Sequence, residues 1–319
     1  MSAPIHRLLL AGEALVDLMM WVPSLPERGG DQLATSSGVA VGGGFNVMAA
    51  AARQGLPVRY AGGHGTGPWG DLVRSALTSE NIELLRPRDP RADTGFDVAL
   101  VEPAGERTFV TSPGAESLPA PDGWEVIPAV PGDAVYVSGY GLAAPVSGPE
   151  LGRWATRLPT GVTLFIDPGP LIADIPPGIL DPVLDRADWW SCNQREATLL
   201  TGTDQPAEAA RQLRARLPRA SIMVRTGAAG CTLATGDDPL TEIPAPHVAA
   251  VDTTGAGDAH AGVFLASLAD GLPPVAAAAR ANAAAALSTT RTGPATAPAR
   301  DELDRFLAGP APPDRPGRP

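Results

Sequence analysis

The stretch Val251-Asp252-Thr253-Thr254-Gly255-Ala256-Gly257-Asp258-Ala259 sets small residues and threonines directly before an Ala- and Leu-rich run, Asp258 to Asp270, that reads as helix. A helix N-terminus carries free backbone N–H groups and the positive end of the macrodipole, which together form an anion site. Glycines at 255 and 257 let the chain turn those amides toward a phosphate with no side chain between. An aspartate after such a nest would repel the anion, unless its carboxylate accepts a proton from a hydroxyl that attacks the phosphate. Read locally, Asp258 serves equally well as a helix cap, with the glycines forming a turn.

Working outward, a second helical stretch, Val275 to Thr289, follows the first. Upstream, short apolar runs recur at near-regular spacing: Arg7 to Ala14, Val58 to Ala61, Ala134 to Val137, Val162 to Ile166, Trp189 to Ser191 and Ser221 to Val224. Helical stretches such as Asn46 to Gln54, Asp71 to Leu77 and Ala207 to Leu217 lie between several of them. This alternation predicts an α/β fold with a mainly parallel central sheet flanked by helices. Two pieces break the pattern: Gly29 to Val41, polar and β-branched, and Phe96 to Thr111, split by a turn signal at Pro103-Ala104-Gly105-Glu106. They predict a small β-rich lid, from about 15 to 41 and 94 to 112, on one domain spanning 1–308. Residues 309–319, rich in proline and glycine, are expected to hold neither helix nor strand.

A second glycine cluster, Val41-Gly42-Gly43-Gly44-Phe45-Asn46, opens the first Ala-rich helix. Its glycines admit a ligand to the backbone, and Asn46 offers both donor and acceptor to a hydroxyl. Alone, it reads equally as a flexible turn with an Asn N-cap.

Composition removes several functions. Net charge is −11, which disfavours nucleic-acid backbones, and no polybasic membrane patch is present. The chain has no lysine, so its 24 basic residues are all arginine. That excludes a Walker-A loop and a lysine Schiff base. Cys192 and Cys231 lack CxxC spacing and the four histidines are scattered, which speaks against a disulfide framework or a zinc site. No segment approaches the ~20 apolar residues that span a bilayer. Leu8 to Ala11 soon meets Glu13 and Asp17, unlike a secretory signal, so a cytoplasmic protein is expected.

Taken together, Gly42 to Asn46 and Asp252 to Asp258, in this order and about two hundred residues apart, resemble the two signatures of the ribokinase-like (PfkB) carbohydrate kinase family. Further likenesses lie around them: Glu13 to Asp17, Asn193-Gln194-Arg195-Glu196 (an NxxE motif), Val224 to Cys231, and Ala283 to Gly293. The resemblance spans about residues 7–307. It implies an ATP-dependent kinase in which Asp258 is the general base and Gly255, Ala256 and Gly257 form the anion hole. By the same resemblance, Asp17, Gly43, Gly44 and Asn46 would hold the acceptor. Asn193, Arg225, Gly227, Gly230 and Asn282 would lie along ATP, and Asn193 with Glu196 would organise Mg²⁺ through water. K⁺ would sit at Asp252 and the carbonyls of Thr254, Ser288, Arg291 and Gly293, and the subunits would pair through the lid.

Locally, several of these residues read otherwise: Glu196 as a solvated helix carboxylate, Arg225 as a surface ion-pair partner, Asp17 as a turn residue and Asn282 as facing solvent. The glycine loop lacks the lysine usual in ribokinases proper, and His260 replaces an aromatic and could pack on that loop. A ketohexose, a sugar acid or a related polyol is the expected acceptor. A nucleoside kinase and a non-catalytic nucleotide or sugar sensor are the alternatives. A dinucleotide oxidoreductase is disfavoured because no GxGxxG follows a strand.

Overall fold

The computed structural model describes residues 4–103 and 106–309. The centre of the expected turn at 103–106 and the tail beyond Gly309 lie outside the described residues.

The run Arg7–Ala11 forms strand β1, apolar and buried on both faces from Leu8 to Ala11, as a central parallel strand must be. Its neighbours are β4 (Val58–Tyr60) and β8 (Asp133–Ser138), both parallel to it. The sheet extends past β4 to β5 (Glu83–Leu84). Past β8 it runs through β9 (Thr163–Asp167), β10 (Trp189–Asn193) and β11 (Ser221–Arg225). Two strands not expected from the sequence, β12 (Cys231–Ala234) and β13 (Thr241–Ile243), add antiparallel at that edge and complete nine.

One face of this sheet carries α1 (Gly44–Arg53), α2 (Pro68–Ser79), α8 (Ala256–Ala269) and α9 (Pro274–Ser288). There Leu8, Leu10, Met48 and Phe264 share a core. The opposite face holds Leu9 with Trp154, Val183 and Leu213. These three come from α4 (Gly148–Thr156), α5 (Pro177–Arg186) and α7 (Pro206–Arg216). The short α3 (Gly139–Ala143), α6 (Gln194–Thr201) and the late α10 (Arg300–Ala308) complete the set.

The remaining strands form a separate sheet of four, the lid, in the order β3 (Ser36–Gly43), β2 (Ala14–Trp21), β6 (Phe96–Val101), β7 (Arg107–Ser112). Alternation sets its register: Ala40, Asp17, Asp97 and Thr111 make one cross-strand row.

Chain order reverses at β1, which lies between β8 and β4, so a crevice opens at the carboxyl ends of these strands, where open α/β sheets bind ligands. Helices α1 and α8 meet below it. A Cβ on Gly262 would stand 2.5 Å from the Val47 carbonyl oxygen and 2.7 Å from the Ala50 Cβ, so only glycine allows this approach. Gly262→Val should therefore destabilise the fold by about 1–3 kcal/mol through overpacking. A thermal midpoint equal to that of the natural protein would show that the two helices are not held at this distance.

Candidate active site

Helix α8 begins at Ala256, with Gly255 as its N-cap in the left-handed conformation (φ 70°). A side chain there would be strained, so glycine is what lets Ala256 and the residues after it point their amides outward. Asp258 stands in the first turn but makes no cap bond, which removes the capping reading. Its Oδ2 instead accepts a 3.0 Å hydrogen bond from Asn46 Nδ2. Asn46 likewise is no cap, because α1 starts two residues earlier with Gly43 as N-cap. Burial pushes Asp258 up to about 6; Asn46 opposes this, the Asp167 charge adds to it and Arg225 opposes it.

Two cavities open on either side of the nest, of about 410 Å³ and 320 Å³, sharing Arg225, Thr253, Ala256 and Gly257. The first gathers Asp17, Gly43, Gly44, Asn46 and Asp258 with Glu13, Asp97 and Tyr140, and Gly255 and Thr254 form its edge. Asp17 is a mid-strand residue of β2 rather than a turn residue, and it is buried. Glu13 follows β1 and accepts from Ser138 Oγ at the end of β8 (3.0 Å); burial pushes it up to about 7 against that bond. The second cavity collects Asn193, Gly227, Gly230 and Asn282 with His247 and His260.

Arg225, Asp167 and Glu196 meet between the two cavities. The Arg225 guanidinium donates to Asp167 Oδ2 at 2.6 Å and Ser191 Oγ at 3.2 Å, and lies 3.9 Å from Glu196. Its side chain is only 12% exposed, so the surface ion-pair reading fails. Burial disfavours its charge, but Asp167 and Glu196 outweigh that and hold it protonated far above the usual range. Glu196 is buried rather than solvated. It accepts from Asn193 N (2.8 Å) and Nδ2 (2.7 Å) while Asn193 Oδ1 accepts from Glu196 N (2.9 Å), a capping box at the start of α6. Burial raises the Glu196 carboxyl, with the Asp167 charge adding to it.

Asp252 ties together the loop around it. Its Oδ1 accepts from Thr254 N (2.8 Å), Thr254 Oγ1 (2.7 Å) and Arg107, and its Oδ2 accepts from Gly293 N (2.9 Å). Burial would raise this carboxyl, but the donors outweigh it and hold it below the usual range. The Ser288 carbonyl accepts from Arg291 N and Thr296 Oγ1.

Asn282 is buried and committed to the fold: Nδ2 donates to the Ile243 carbonyl (2.8 Å), and Oδ1 faces His260 Nε2 (3.1 Å). That corrects the solvent-facing reading. His260 faces this second cavity and stacks on Phe264, away from the glycine loop; burial pushes it down to about 3. Sequence reading missed Asp167, Asp97 and Arg107. Asp167 alone left a trace, as the residue ending an apolar strand before Pro-Gly-Pro.

The pfkB family carbohydrate kinases match the chain over residues 6–301, and the chain belongs to that family: it is an ATP-dependent carbohydrate kinase. It is 34% identical to the uncharacterised sugar kinase YegV of Escherichia coli K12, with 93% of each chain covered. It is 30% identical to a fructokinase of Klebsiella pneumoniae, over 94% of this chain and 99% of that one. The ribokinase of Thermotoga maritima superposes with a TM-score of 0.80 at 24% identity, over 96% of this chain and all of that one, a likeness of fold.

Removing one partner of a buried ion pair leaves the other uncompensated, which costs about 3–5 kcal/mol. Arg225→Met should lower urea-denaturation stability by about that much, because Asp167 and Glu196 then lose their shared cation. A loss under about 1 kcal/mol would assign the pair to the weak surface class instead.

Proposed function

We propose that the first cavity takes a sugar or sugar-like alcohol, a ketohexose, sugar acid or related polyol, and the second takes ATP. Asp258 then acts as the general base. The reading rests above all on the bond from Asn46 to Asp258, which fixes a half-buried carboxylate on the wall of the first cavity, in the first turn of a helix whose N-terminus borders both cavities. The acceptor hydroxyl gives its proton to Asp258, its oxygen bonds to the γ-phosphorus, and the bond to the β-phosphate oxygen breaks to release ADP. The amides at Gly255, Ala256 and Gly257 receive the charge on the transferring group. Gly227 and Gly230, in the turn after β11, lie along the nucleotide. Arg225, neutralised by Asp167, serves by positioning more than by free charge.

Mg²⁺ fits beside Glu196 only through water. Both of its oxygens already accept from Asn193, and a carboxylate oxygen can accept a further bond, here from water. When bound, the ion would neutralise ATP phosphate charge. For K⁺, the Thr254, Arg291 and Gly293 carbonyls receive no hydrogen bond among the described residues, whereas Ser288 is already engaged. Three carbonyls and the Asp252 carboxylate are therefore the donors on offer to a monovalent cation, which would steady the anion hole. The exposed valines Val39 and Val110 flank Leu18 and Val98 in one lid row, which supports pairing of two subunits there. A monomer mass by light scattering would remove that pairing. Phe109 and Tyr140, both half-exposed beside the first cavity, favour a nucleoside as the second acceptor class.

Asp258→Asn should reduce kcat by about 10²–10⁴-fold while ATP affinity is kept. Because the base must be ionised, kcat/KM of the natural protein should fall as pH drops through about 6. A variant as fast as the natural protein, or a flat acid limb, would remove Asp258 from this role. In a separate assay, replacing K⁺ by tetramethylammonium should lower turnover; equal rates would take the cation out of the scheme.

A further inference from the structure

We infer that Asp97 contacts the acceptor as the partner of Asp17, and that the two carboxyls select an uncharged acceptor bearing two neighbouring hydroxyls. This rests on reading the first cavity as the acceptor site. Asp17 and Asp97 are direct register partners on the parallel strands β2 and β6. Both line the cavity, and both are more than nine-tenths buried.

Like charges opposite each other weaken a strand pair. Here burial raises both carboxyls, the charges of Asp97 and Asp258 add to the rise at Asp17 while Asp17 as a hydrogen-bond partner offsets part of it at Asp97, and no cation contributes at either. A pair with no fold-building partner is explained by a ligand. Asp97 Oδ1 is buried and accepts no hydrogen bond among the described residues, and Asn46 Oδ1, on the wall of the same cavity, is in the same state. Leaving such an oxygen unpaired costs about 1–3 kcal/mol, and native proteins rarely tolerate it without a role. Two side-by-side carboxyls present acceptor oxygens to two hydroxyls at once, which suits adjacent hydroxyls of a sugar.

The charge balance of the cavity sets the class further. Glu13 and Asp258 add to the acidic wall, while the two arginines that reach it are each committed, Arg107 to Asp252 and Arg225 to Asp167. An anionic acceptor would meet carboxylates with no uncommitted cation to receive it. The sugar acids are therefore the least suited of the candidate acceptors.

The test is steady-state kinetics with MgATP on ketoses, aldoses and alditols, each beside its aldonic acid or phosphate ester. It uses the natural protein, Asp97→Ala, Asp97→Asn and Asp258→Asn. The natural protein should prefer the neutral member of each pair. Asp97→Ala should raise the KM of the best neutral acceptor about ten- to a hundredfold, the loss expected for a charge-assisted hydrogen bond, with the MgATP KM unchanged. The isosteric Asp97→Asn, with one negative charge fewer, should move the neutral-to-anionic ratio of kcat/KM toward the anion by about tenfold. An unchanged acceptor KM in Asp97→Ala, or a natural preference for the acid, overturns the inference while an inactive Asp258→Asn leaves the site reading standing. Full turnover by Asp258→Asn would instead overturn the site reading and the inference with it.

Discussion

The contact between α1 and α8 at Gly262 is the constraint on which the rest of the site depends. Those two helices carry the glycine loop and the nest at their N-termini, and their separation decides whether Asn46 can reach Asp258. Close packing tolerates no methyl group at that crossing, so the distance between the two N-termini is set by backbone against backbone rather than by adaptable side chains. Both ends of the hydrogen bond are thereby built on rigid elements, the arrangement that holds reacting groups in place best. The lid, by contrast, hangs on the chain between β1 and α1 and between β5 and β8, outside the main sheet.

Packing alone would not make the crevice habitable, because it concentrates carboxylates in a chain that is already acidic. Each is handled by a different device. Asp167 and Glu196 share one guanidinium, Glu196 is also held by Asn193, Glu13 leans on Ser138, and Asp252 is surrounded by loop amides. A protein without lysine relies on arginine here, and the planar fork is well matched to the geometry. Arg225 faces Asp167, Ser191 and Glu196 at once, which a single ammonium on a flexible stem would do less rigidly. Asp258 receives only one donor, from Asn46. With burial, that leaves its carboxyl raised to about 6, close enough to neutrality for it to take up a proton.

The parallel sheet was legible because a doubly buried strand such as Leu8 to Leu10 shows as an unbroken apolar run, and the two glycine motifs were legible because their chemistry is local. What escaped was whatever depends on partners distant in sequence. Asp97 sits in an alternating lid strand where an acidic residue looks like solvent-facing polarity, and only the register with Asp17 turns it inward. Arg107 borders a turn signal and carries no mark of its target. β12 and β13 are too short to rise above the surrounding turns. The local readings of Asp258 and Asn46 as caps failed for one reason: a glycine already occupied each N-cap, and the free side chains found each other across 212 residues of chain.

Arg107 joins these two kinds of structure. It belongs to the lid strand β7, yet its guanidinium sits on Asp252 and reaches Thr253, the residues that lead into the nest. Asp252 in turn fixes Thr254 and Gly293, so the lid is tied to the loop that leads into α8 rather than to the outer rim of the crevice. A lid tied there lines the first cavity and braces the nest through the same ion pair. Lifting β7 would both admit water and release one of the donors that hold Asp252 in its ionised state. On the proposed function, closure and assembly of the phosphate site would be one event, and a kinase needs that coupling to keep water from competing with the acceptor hydroxyl.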